Sequence, residues 1–278
     1  MTGAIITAAL VYLGLLAVLW LSESRLIYFP GPQRSLIAPP AWLGLRPERV
    51  EISTEDSVTL VGWVMPTSEG TSGLWLLIFH GNAGNLSEFD RPVHYAGLSR
   101  LGLNLLAFDY RGYGESGGSA SEQGLYRDAD AAYRYLRERR GVPADRIVVF
   151  GHSLGSAVAI DLASRTRAAG LIVEGALTSA VHRGQELYPY IPVRWIARSR
   201  FSSIDKVAGL RMPKLFLHAT ADEVIPVVHG RRLFDAAAEP KVFMELQGSH
   251  GDAFDVDSAR YFGSIAEFLA RLPARHDP

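Results

Sequence analysis

Two serines of the chain stand in the G-x-S-x-G pattern, which can hold a nucleophilic serine on a sharp turn. Ser153 lies in the stretch GHSLG at 151–155, and Ser116 lies in the stretch GESGG at 114–118. A serine hydroxyl is a weak nucleophile at neutral pH, so it needs a base to take its proton and an acid to orient that base. Because the pattern occurs twice, the residues around each serine must decide which one could be a nucleophile.

The residues around Ser153 fit such a role. The apolar stretch at 147–150 precedes it and predicts a strand, and the small-residue stretch at 155–163 follows it and predicts a helix. A strand, a tight turn and a helix form a nucleophile elbow, in which the serine stands at a helix N-terminus and the Leu154 N–H can stabilise an oxyanion. Ser116 is surrounded instead by the turn formers of RGYGESGGSASE, which predict a loop serine.

The partners of Ser153 are predicted further along the chain. Asp222 in ATADEVIP and His250 in QGSHGD each follow an apolar run. In α/β sheets that carry a nucleophile elbow, the nucleophile, the acid and the histidine follow one another in that order, and ligands bind at the carboxyl ends of the strands. We therefore expect His250 to be the base and Asp222 the acid that orients it. Asp222 could also cap the helix that follows it, and Glu174 remains an alternative for the acid.

The stretch HGNAGN, which begins at His80, follows another apolar run. Its small residues allow a backbone N–H to approach a substrate oxygen, so the N–H of Asn82 or Ala83 is the candidate second donor to an oxyanion. We expect His80 and Gly81 to line the substrate site, with the His80 side chain in a structural role and not as a base. The stretch lacks the Gly-Lys-Ser/Thr ending of a phosphate-binding loop, and the chain has no H-E-x-x-H motif, so we predict neither a metal nor a cofactor.

The elements that must position these residues are predicted by the alternation of short apolar runs with amphipathic stretches. Short runs that are apolar on both faces are typical of buried parallel strands, and two earlier runs, at 50–53 and 58–64, predict an antiparallel hairpin. The other strands are predicted at 74–79, 104–108, 147–150, 171–173, 214–217 and 242–246, and helices at 124–140, 155–167, 229–238 and 259–272. This order predicts an α/β fold with a mostly parallel, doubly wound sheet.

One internal segment interrupts this alternation. Residues 178–213 are rich in aromatic residues and proline and show no strand run. We interpret the segment as a small lid over the sheet. Tyr188 and Trp195 are the aromatic residues that we expect to contact a substrate there.

The N-terminus is predicted to anchor the chain in a membrane. Residues 4–21 are 18 uncharged residues, which span roughly 27 Å as a helix. A cleaved signal peptide is disfavoured because no basic region precedes the stretch, and a buried core helix is disfavoured because the stretch has no polar face. We expect an anchor at 1–24, an extended proline-containing connector at 25–48 and a catalytic domain at 49–278.

The side of the membrane on which the domain lies is indicated only by the distribution of arginines. Four of them follow the apolar stretch and none precedes it: Arg25, Arg34, Arg46 and Arg49. The positive-inside rule places the domain in the cytoplasm, but the N-terminal tail is too short for this to decide the orientation.

The composition limits the classes of function. The 278 residues carry a formal net charge of -1, which argues against a nucleic-acid-binding protein, since such proteins present a basic face. The chain has no cysteine, so disulfides and thiolate catalysis are excluded.

Taken together, the motifs resemble those of the α/β-hydrolases, over nearly the whole chain beyond the anchor. The stretches that carry the resemblance are HGNAGN at 80–85, DYRGYGES at 109–116, GHSLG at 151–155, DEVIP at 222–226 and GSHGD at 248–252. The anchor, the stretch LIYFPGP and the short lid resemble the membrane-anchored branch, whose α/β-hydrolase-domain proteins act on acyl thioesters and lipids. The resemblance implies that Ser153, Asp222 and His250 are catalytic.

From these residues and this resemblance we expect a serine hydrolase that cleaves carboxylic ester or thioester bonds of a small acyl or lipid substrate. The resemblance does not extend to palmitoyl-protein substrates, because the eukaryotic depalmitoylases carry an N-terminal cysteine cluster and this chain has no cysteine. A peptidase or a carbon–carbon bond hydrolase could use the same three residues. A catalytically silent, membrane-tethered binding protein is the alternative from another class.

Overall fold

The computed structural model describes residues 1–67, 73–88 and 90–272. Eight strands form one sheet in the order β1-β2-β4-β3-β5-β6-β7-β8. The first strand pairs with the second and the second with the fourth in antiparallel fashion, and all other neighbours are parallel. The strands are β1 Glu48–Ser53, β2 Thr59–Met65, β3 Trp75–Phe79, β4 Asn104–Phe108, β5 Ile147–His152, β6 Gly170–Glu174, β7 Lys214–Ala219 and β8 Lys241–Leu246. The predicted mostly parallel sheet with an N-terminal hairpin is confirmed.

Helices cover both faces of this sheet. The helices are α1 Thr2–Ile27, α2 Arg91–Ser99, α3 Glu122–Arg134, α4 Leu154–Arg165, α5 Ala180–Leu187, α6 Val193–Ile196, α7 Ile204–Val207, α8 Val227–Ala236, α9 Ala253–Val256 and α10 Ser258–Ala270. Apolar residues of α3, α4 and α8 pack in one core cluster, and those of α2 and α10 pack in a second. Leu77 faces the first cluster and its neighbour Leu76 the second, because successive strand residues point to opposite faces. The result is a three-layer α/β fold.

The topology brings two candidate segments together. From β3 the chain crosses to β4 on one side, and from β4 it crosses back to β5 on the other side of β3. Ligands bind at such a switch point, in the crevice outside the carboxyl ends of the strands. Phe79 pairs with Gly151 in the register of β3 and β5. The residue after β3, His80, and the residue after β5, Ser153, therefore lie at the same edge of the sheet.

The N-terminal helix is longer than the predicted anchor. It runs from Thr2 to Ile27 and so continues past the boundary expected at residue 24. An 18-residue window of it has a mean hydropathy of 2.5, and none of that window is buried in the structure, so the helix is a candidate membrane-spanning segment by length and composition. The chain that follows, up to β1, is mostly irregular apart from a 3-10 turn at Ala41–Leu43. The expected end of the domain, at 273–278, lies outside the described residues.

Several helices were not indicated by the sequence, among them α2. Helix α2 follows Asp90 and begins with Arg91 and Pro92, which has the restricted φ that suits a first turn. Gly97 lies in its interior and interrupts the apolar pattern, and a Cβ at this position would clash with the ring of Phe262. The close contact between α2 and α10 therefore requires glycine at a position where glycine normally argues against a helix.

Candidate active site

Ser153 lies in the sharp turn between β5 and α4. It has φ 54° and ψ -120°, a conformation that non-glycine residues rarely adopt. Its backbone N–H donates to the carbonyl of Glu174 at 2.9 Å, and its side chain is directed toward the sheet edge, where it is 8% exposed. Strain held in this way by the surrounding structure is typical of a nucleophile elbow.

The elbow depends on Gly155 in the first turn of α4. A Cβ at this position would clash with the carbonyl oxygen of Phe79 in β3. Gly155→Ala is therefore expected to lower the free energy of unfolding by about 1–3 kcal/mol, the usual cost of overpacking.

Gly263→Ala is the matched control, because a Cβ there meets no described atom within 4 Å. In that exposed helical position alanine should raise the free energy of unfolding by about 0.5–1 kcal/mol. Denaturant unfolding of the two full-length variants measures both effects, and equal stabilities would contradict the packing argument.

Ser153, His250 and Asp222 form a continuous chain of hydrogen bonds. The Ser153 Oγ lies 2.8 Å from His250 Nε2, and His250 Nδ1 lies 2.8 Å from Asp222 Oδ2. A carboxylate can only accept, so we assign the His250 proton to Nδ1. His250 Nε2 is then free to accept the proton of the Ser153 hydroxyl. The structure therefore brings together the three residues that the sequence singled out.

Asp222 is held by both of its carboxylate oxygens. The Oδ1 atom accepts the N–H groups of Val224 and Ile225 at 2.9 and 2.7 Å, and Oδ2 faces His250. Burial by itself would raise the pKa of this carboxyl, but the hydrogen bonds from His218 and His250 outweigh it and hold the pKa below its usual range. The alternative role as a helix cap does not apply, since α8 begins at Val227 and Pro226 occupies the cap position.

Glu174, the other candidate for the acid, belongs to a separate network. Its Oε2 accepts the hydroxyl of Tyr261 at 2.8 Å, and the same hydroxyl lies 2.9 Å from His94 Nε2. Burial raises the pKa of Glu174 to about 7, against the opposing hydrogen bond from Tyr261. Burial also lowers the pKa of His94 to about 3. The carboxylate bonded to His250 Nδ1 is thus that of Asp222, while Glu174 lies in the cavity wall.

The loop HGNAGN packs directly against the elbow. A Cβ at Gly81 would lie 2.8 Å from His152 Nδ1 and 3.5 Å from the Ser153 Cβ. The guanidinium of Arg91 donates to the carbonyl oxygens of Gly81, Ala83 and Asn85, and so fixes the path of this loop. Leu154, whose N–H is the other candidate donor, is the first residue of α4.

The connector is tied to the same loop. The Asn82 side chain donates to the carbonyl of Ile27 and accepts the hydroxyl of Tyr113, and Ala83 forms a β-bridge with Phe29. The end of α1 is therefore joined to the candidate oxyanion loop. Nothing in the sequence pattern indicated this contact, because its partners are more than 50 residues apart.

His80 and Ser116 have structural surroundings. The His80 ring is 3% exposed, with Nδ1 2.7 Å from the carbonyl of Gly81 and Nε2 3.3 Å from Asp109 Oδ1, and burial lowers its pKa. The Ser116 hydroxyl donates to the carbonyl of Asp109 at 2.7 Å and accepts the N–H of Val61 at 2.9 Å. Both hydrogen-bonding directions of Ser116 are therefore used within the fold, and its position is that of a buried loop serine.

A cavity of about 600 Å³ opens beside Ser153 and His250. Most of its other lining residues were not identified from the sequence, among them Phe29, Tyr95, Phe150, Val224 and Phe254. The only sequence signal of these five residues is an aromatic or aliphatic side chain, which core residues share. A second cavity, of about 770 Å³, lies at the opposite edge of the sheet, where β5 and β7 begin.

The predicted lid does not line the cavity beside Ser153. His80 and Gly81 are among its lining residues, but Tyr188 and Trp195 are not. These two side chains are 60% and 78% exposed. The segment 178–213 folds into three short helices, α5 to α7, and Tyr190, Arg198 and Ser199 of this segment contact α1. The structure therefore does not bring Tyr188 and Trp195 to the site, because the lid packs along the N-terminal helix.

Within residues 1–67, 73–88 and 90–272, no group of three or more His, Asp or Glu side chains is arranged to hold a metal ion. The chemistry that the arrangement offers is a hydroxyl nucleophile, a general base and backbone N–H donors. This set suits attack on a carbonyl carbon.

Known proteins are similar to this chain in sequence or in fold. A family model described as alpha/beta hydrolase fold matches residues 75–193. Protein bem46 of Schizosaccharomyces pombe is 35% identical over 266 residues, covering 92% of this chain and 88% of that protein. The alpha/beta hydrolase domain-containing protein WAV2 of Arabidopsis thaliana is 31% identical over 277 residues, covering 92% and 90%. The solved structure of the Pyrococcus furiosus esterase Pf2001 superposes with a TM-score of 0.72 at 21% identity, covering 87% of this chain and 99% of that one. The chain therefore belongs to the α/β-hydrolase fold family.

Proposed function

We propose that the chain is a serine hydrolase that cleaves a carboxylic ester or thioester through Ser153, His250 and Asp222. The observation that carries the proposal is the pair of 2.8 Å contacts that joins the three side chains in the order nucleophile, base and acid. Arrangements of this kind are recognised by geometry and roles, not by sequence position. The membership of the family makes a hydrolase the expected class of enzyme.

The reaction proceeds through an acyl-enzyme. Ser153 Oγ attacks the carbonyl carbon while His250 Nε2 takes the hydroxyl proton, and the same nitrogen returns the proton to the leaving alcohol or thiol. Asp222 stays ionised and stabilises the imidazolium. A water molecule then attacks the acyl group, again with His250 as the base, and releases the acid and free Ser153. The oxyanion of each tetrahedral intermediate accepts hydrogen bonds from the Leu154 N–H and from the N–H of Asn82 or Ala83.

An acyl or lipid substrate fits the surroundings of the site. Aromatic and aliphatic side chains line part of the cavity beside Ser153, together with charged side chains such as Asp90 and Arg91, and the apolar part of the wall suits an apolar ligand group. Phe29 of the cavity wall follows the end of α1 by two residues. We propose that α1 anchors the enzyme in a membrane, with an extended connector and the catalytic domain after it, so that the site is held next to its substrates.

A panel of substrates tests this proposal. The purified full chain in detergent is given matched oxygen esters, thioesters and peptide amides of increasing acyl length, with Ser153→Ala measured in parallel. We expect kcat/KM to be highest for esters or thioesters, to rise with acyl length up to a limit set by the cavity, and to be lost in the variant. Hydrolysis of the amides alone would favour a peptidase. A folded chain that cleaves none of them would favour the silent binding protein.

A further inference from the structure

The part of the lid that lies beside α1 consists of residues 187–196, which we call the lid tip. The hydroxyl of Tyr12 donates to the carbonyl oxygen of Tyr190 at 2.8 Å. Tyr12 lies at the centre of the 18-residue uncharged stretch of α1 at 4–21. The lid tip therefore reaches the middle of the candidate span and not its end.

A second set of contacts fixes the direction in which the lid runs. Both carboxylate oxygens of Glu23 are engaged, one by the backbone N–H groups of Arg198 and Ser199 and the other by the Arg198 guanidinium at 2.8 Å. The same guanidinium lies 4.9 Å from the ring centroid of Trp20. Residues 190–199 thus run along α1 from Tyr12 to Glu23, a distance of roughly 16 Å at the helical rise. A bilayer that covers the uncharged stretch of α1 must also cover Tyr190.

Most side chains of the lid tip suit that environment; the exception is the charged Arg194, whose guanidinium lies 5.1 Å from the centroid of the Trp195 ring. Four large apolar or aromatic side chains project from the lid tip into open space, a density that is unusual for a surface in contact with water. They are Leu187 at 53%, Tyr188 at 60%, Tyr190 at 90% and Trp195 at 78% exposed.

Much of the lid-tip backbone is paired internally, which matters because a bilayer offers no water to unpaired N–H groups; among the described residues, the N–H of Tyr190 has no acceptor. The lid-tip prolines, Pro189 and Pro192, have no N–H. Five other N–H groups donate to carbonyls of α5 or of the lid tip itself; they belong to Tyr188, Ile191, Val193, Trp195 and Ile196. The Gln185 side chain and the Tyr12 hydroxyl donate to the carbonyls of Tyr188, Pro189 and Tyr190.

We propose that the lid tip inserts into a lipid bilayer beside α1, so that the mouth of the Ser153 cavity faces the membrane. The inference rests on the proposed membrane span of α1 and adds a second point of entry. The cavity wall contacts α5, which leads into the lid tip, and the residues that follow α1. The backbone carbonyl of Val224, in the cavity wall, accepts a hydrogen bond from the Arg183 guanidinium of α5 at 2.8 Å. Phe29, which also lines the cavity, follows the end of α1 and is 52% exposed. An acyl chain can then pass from the bilayer into the cavity between α1 and the lid tip.

Site-directed spin labelling measures the depth of the lid tip. The chain has no cysteine, so a single substitution places a nitroxide label at one position of the full-length protein. Tyr190→Cys leaves the contact with Tyr12 intact, because that contact uses the backbone carbonyl. Val11→Cys labels an exposed position of α1, and Glu138→Cys labels an exposed position at the opposite edge of the sheet. The variants are reconstituted in phosphatidylcholine vesicles, and collisions with oxygen are compared with collisions with a water-soluble nickel complex.

We expect the labels at 190 and 11 to collide more with oxygen than with the nickel complex, and the label at 138 to show the opposite ratio. The label of Trp195→Cys should also collide more with oxygen than with the nickel complex. This variant replaces Tyr190→Cys if Tyr190→Cys does not fold. If the label at 11 collides more with oxygen while the labels at 190 and 195 collide more with the nickel complex, the proposal that the lid tip inserts is wrong and the proposed anchor stands. If position 11 is also in water, both the anchor and this inference are wrong.

Discussion

Replacing Ser153 by alanine is expected to lower kcat for ester hydrolysis by about a millionfold, the size of the loss when a serine nucleophile is removed from a hydrogen-bonded set of this kind. The methyl group cannot form the acyl-enzyme, and His250 Nε2 loses the hydroxyl that lies 2.8 Å away. The fold should be unaffected, because the strained backbone of the elbow is held by neighbours and alanine fits the same space. Initial rates on the best ester of the panel, with circular dichroism of the same sample, measure both effects.

Ser116→Ala is the matched control for this prediction. Ser116 stands in the same pattern, but its hydroxyl bonds the Val61 N–H and the Asp109 carbonyl inside the fold. Its loss leaves both groups unpaired and should lower the free energy of unfolding by about 1–3 kcal/mol, while kcat of the folded fraction changes little. If Ser116→Ala abolished turnover in a folded protein and Ser153→Ala did not, the assignment of the nucleophile would be reversed.

Asp222→Asn is expected to lower kcat by about ten thousandfold. The Oδ1 position already accepts two backbone N–H groups, from Val224 and Ile225. The amide oxygen of asparagine must stay there, so its NH₂ group faces His250 Nδ1. That nitrogen then has to accept, the proton moves to Nε2, and His250 can no longer take the proton of Ser153. The loss should appear in kcat measured on the ester panel, while the midpoint of unfolding should change little.

Glu174→Gln separates the two candidate acids. Glutamine can keep the hydrogen bond from Tyr261, and residue 174 makes no bond to the Nδ1 atom of His250, which is occupied by Asp222. We expect this variant to keep most of its kcat. A larger loss in Glu174→Gln than in Asp222→Asn, with both proteins folded, would identify Glu174 as the acid and contradict the arrangement proposed here.

The parts of the fold that were predicted are those with a local signal. The strands carry short apolar runs, and Ser153 lies between a strand run and a helix of small residues, so the sheet and the elbow could be placed by sequence alone. The sheet edge then brings Asp222 and His250 to Ser153, since the carboxyl ends of parallel strands meet there. The roles of these residues, and the domain boundaries, remain predictions.

The parts that were missed depend on contacts between distant segments. Helix α2 was hidden by Gly97, which is needed only because the Phe262 ring packs there. Phe29 reaches the cavity wall because the connector bridges to Ala83. Tyr188 and Trp195 were expected at the substrate, but the position of the lid is set by Glu23 and other residues of α1, more than 150 residues earlier. No periodicity within the lid carries that information.

The central claim is that Ser153 is the nucleophile, and covalent labelling tests it most directly. The folded full chain is treated with a fluorophosphonate probe, digested, and the modified peptide is sequenced by mass spectrometry. We expect one adduct, on Ser153, that is absent in Ser153→Ala and retained in Ser116→Ala. An adduct on Ser116 or on another serine, or a folded chain that takes up no probe, would contradict the proposed function.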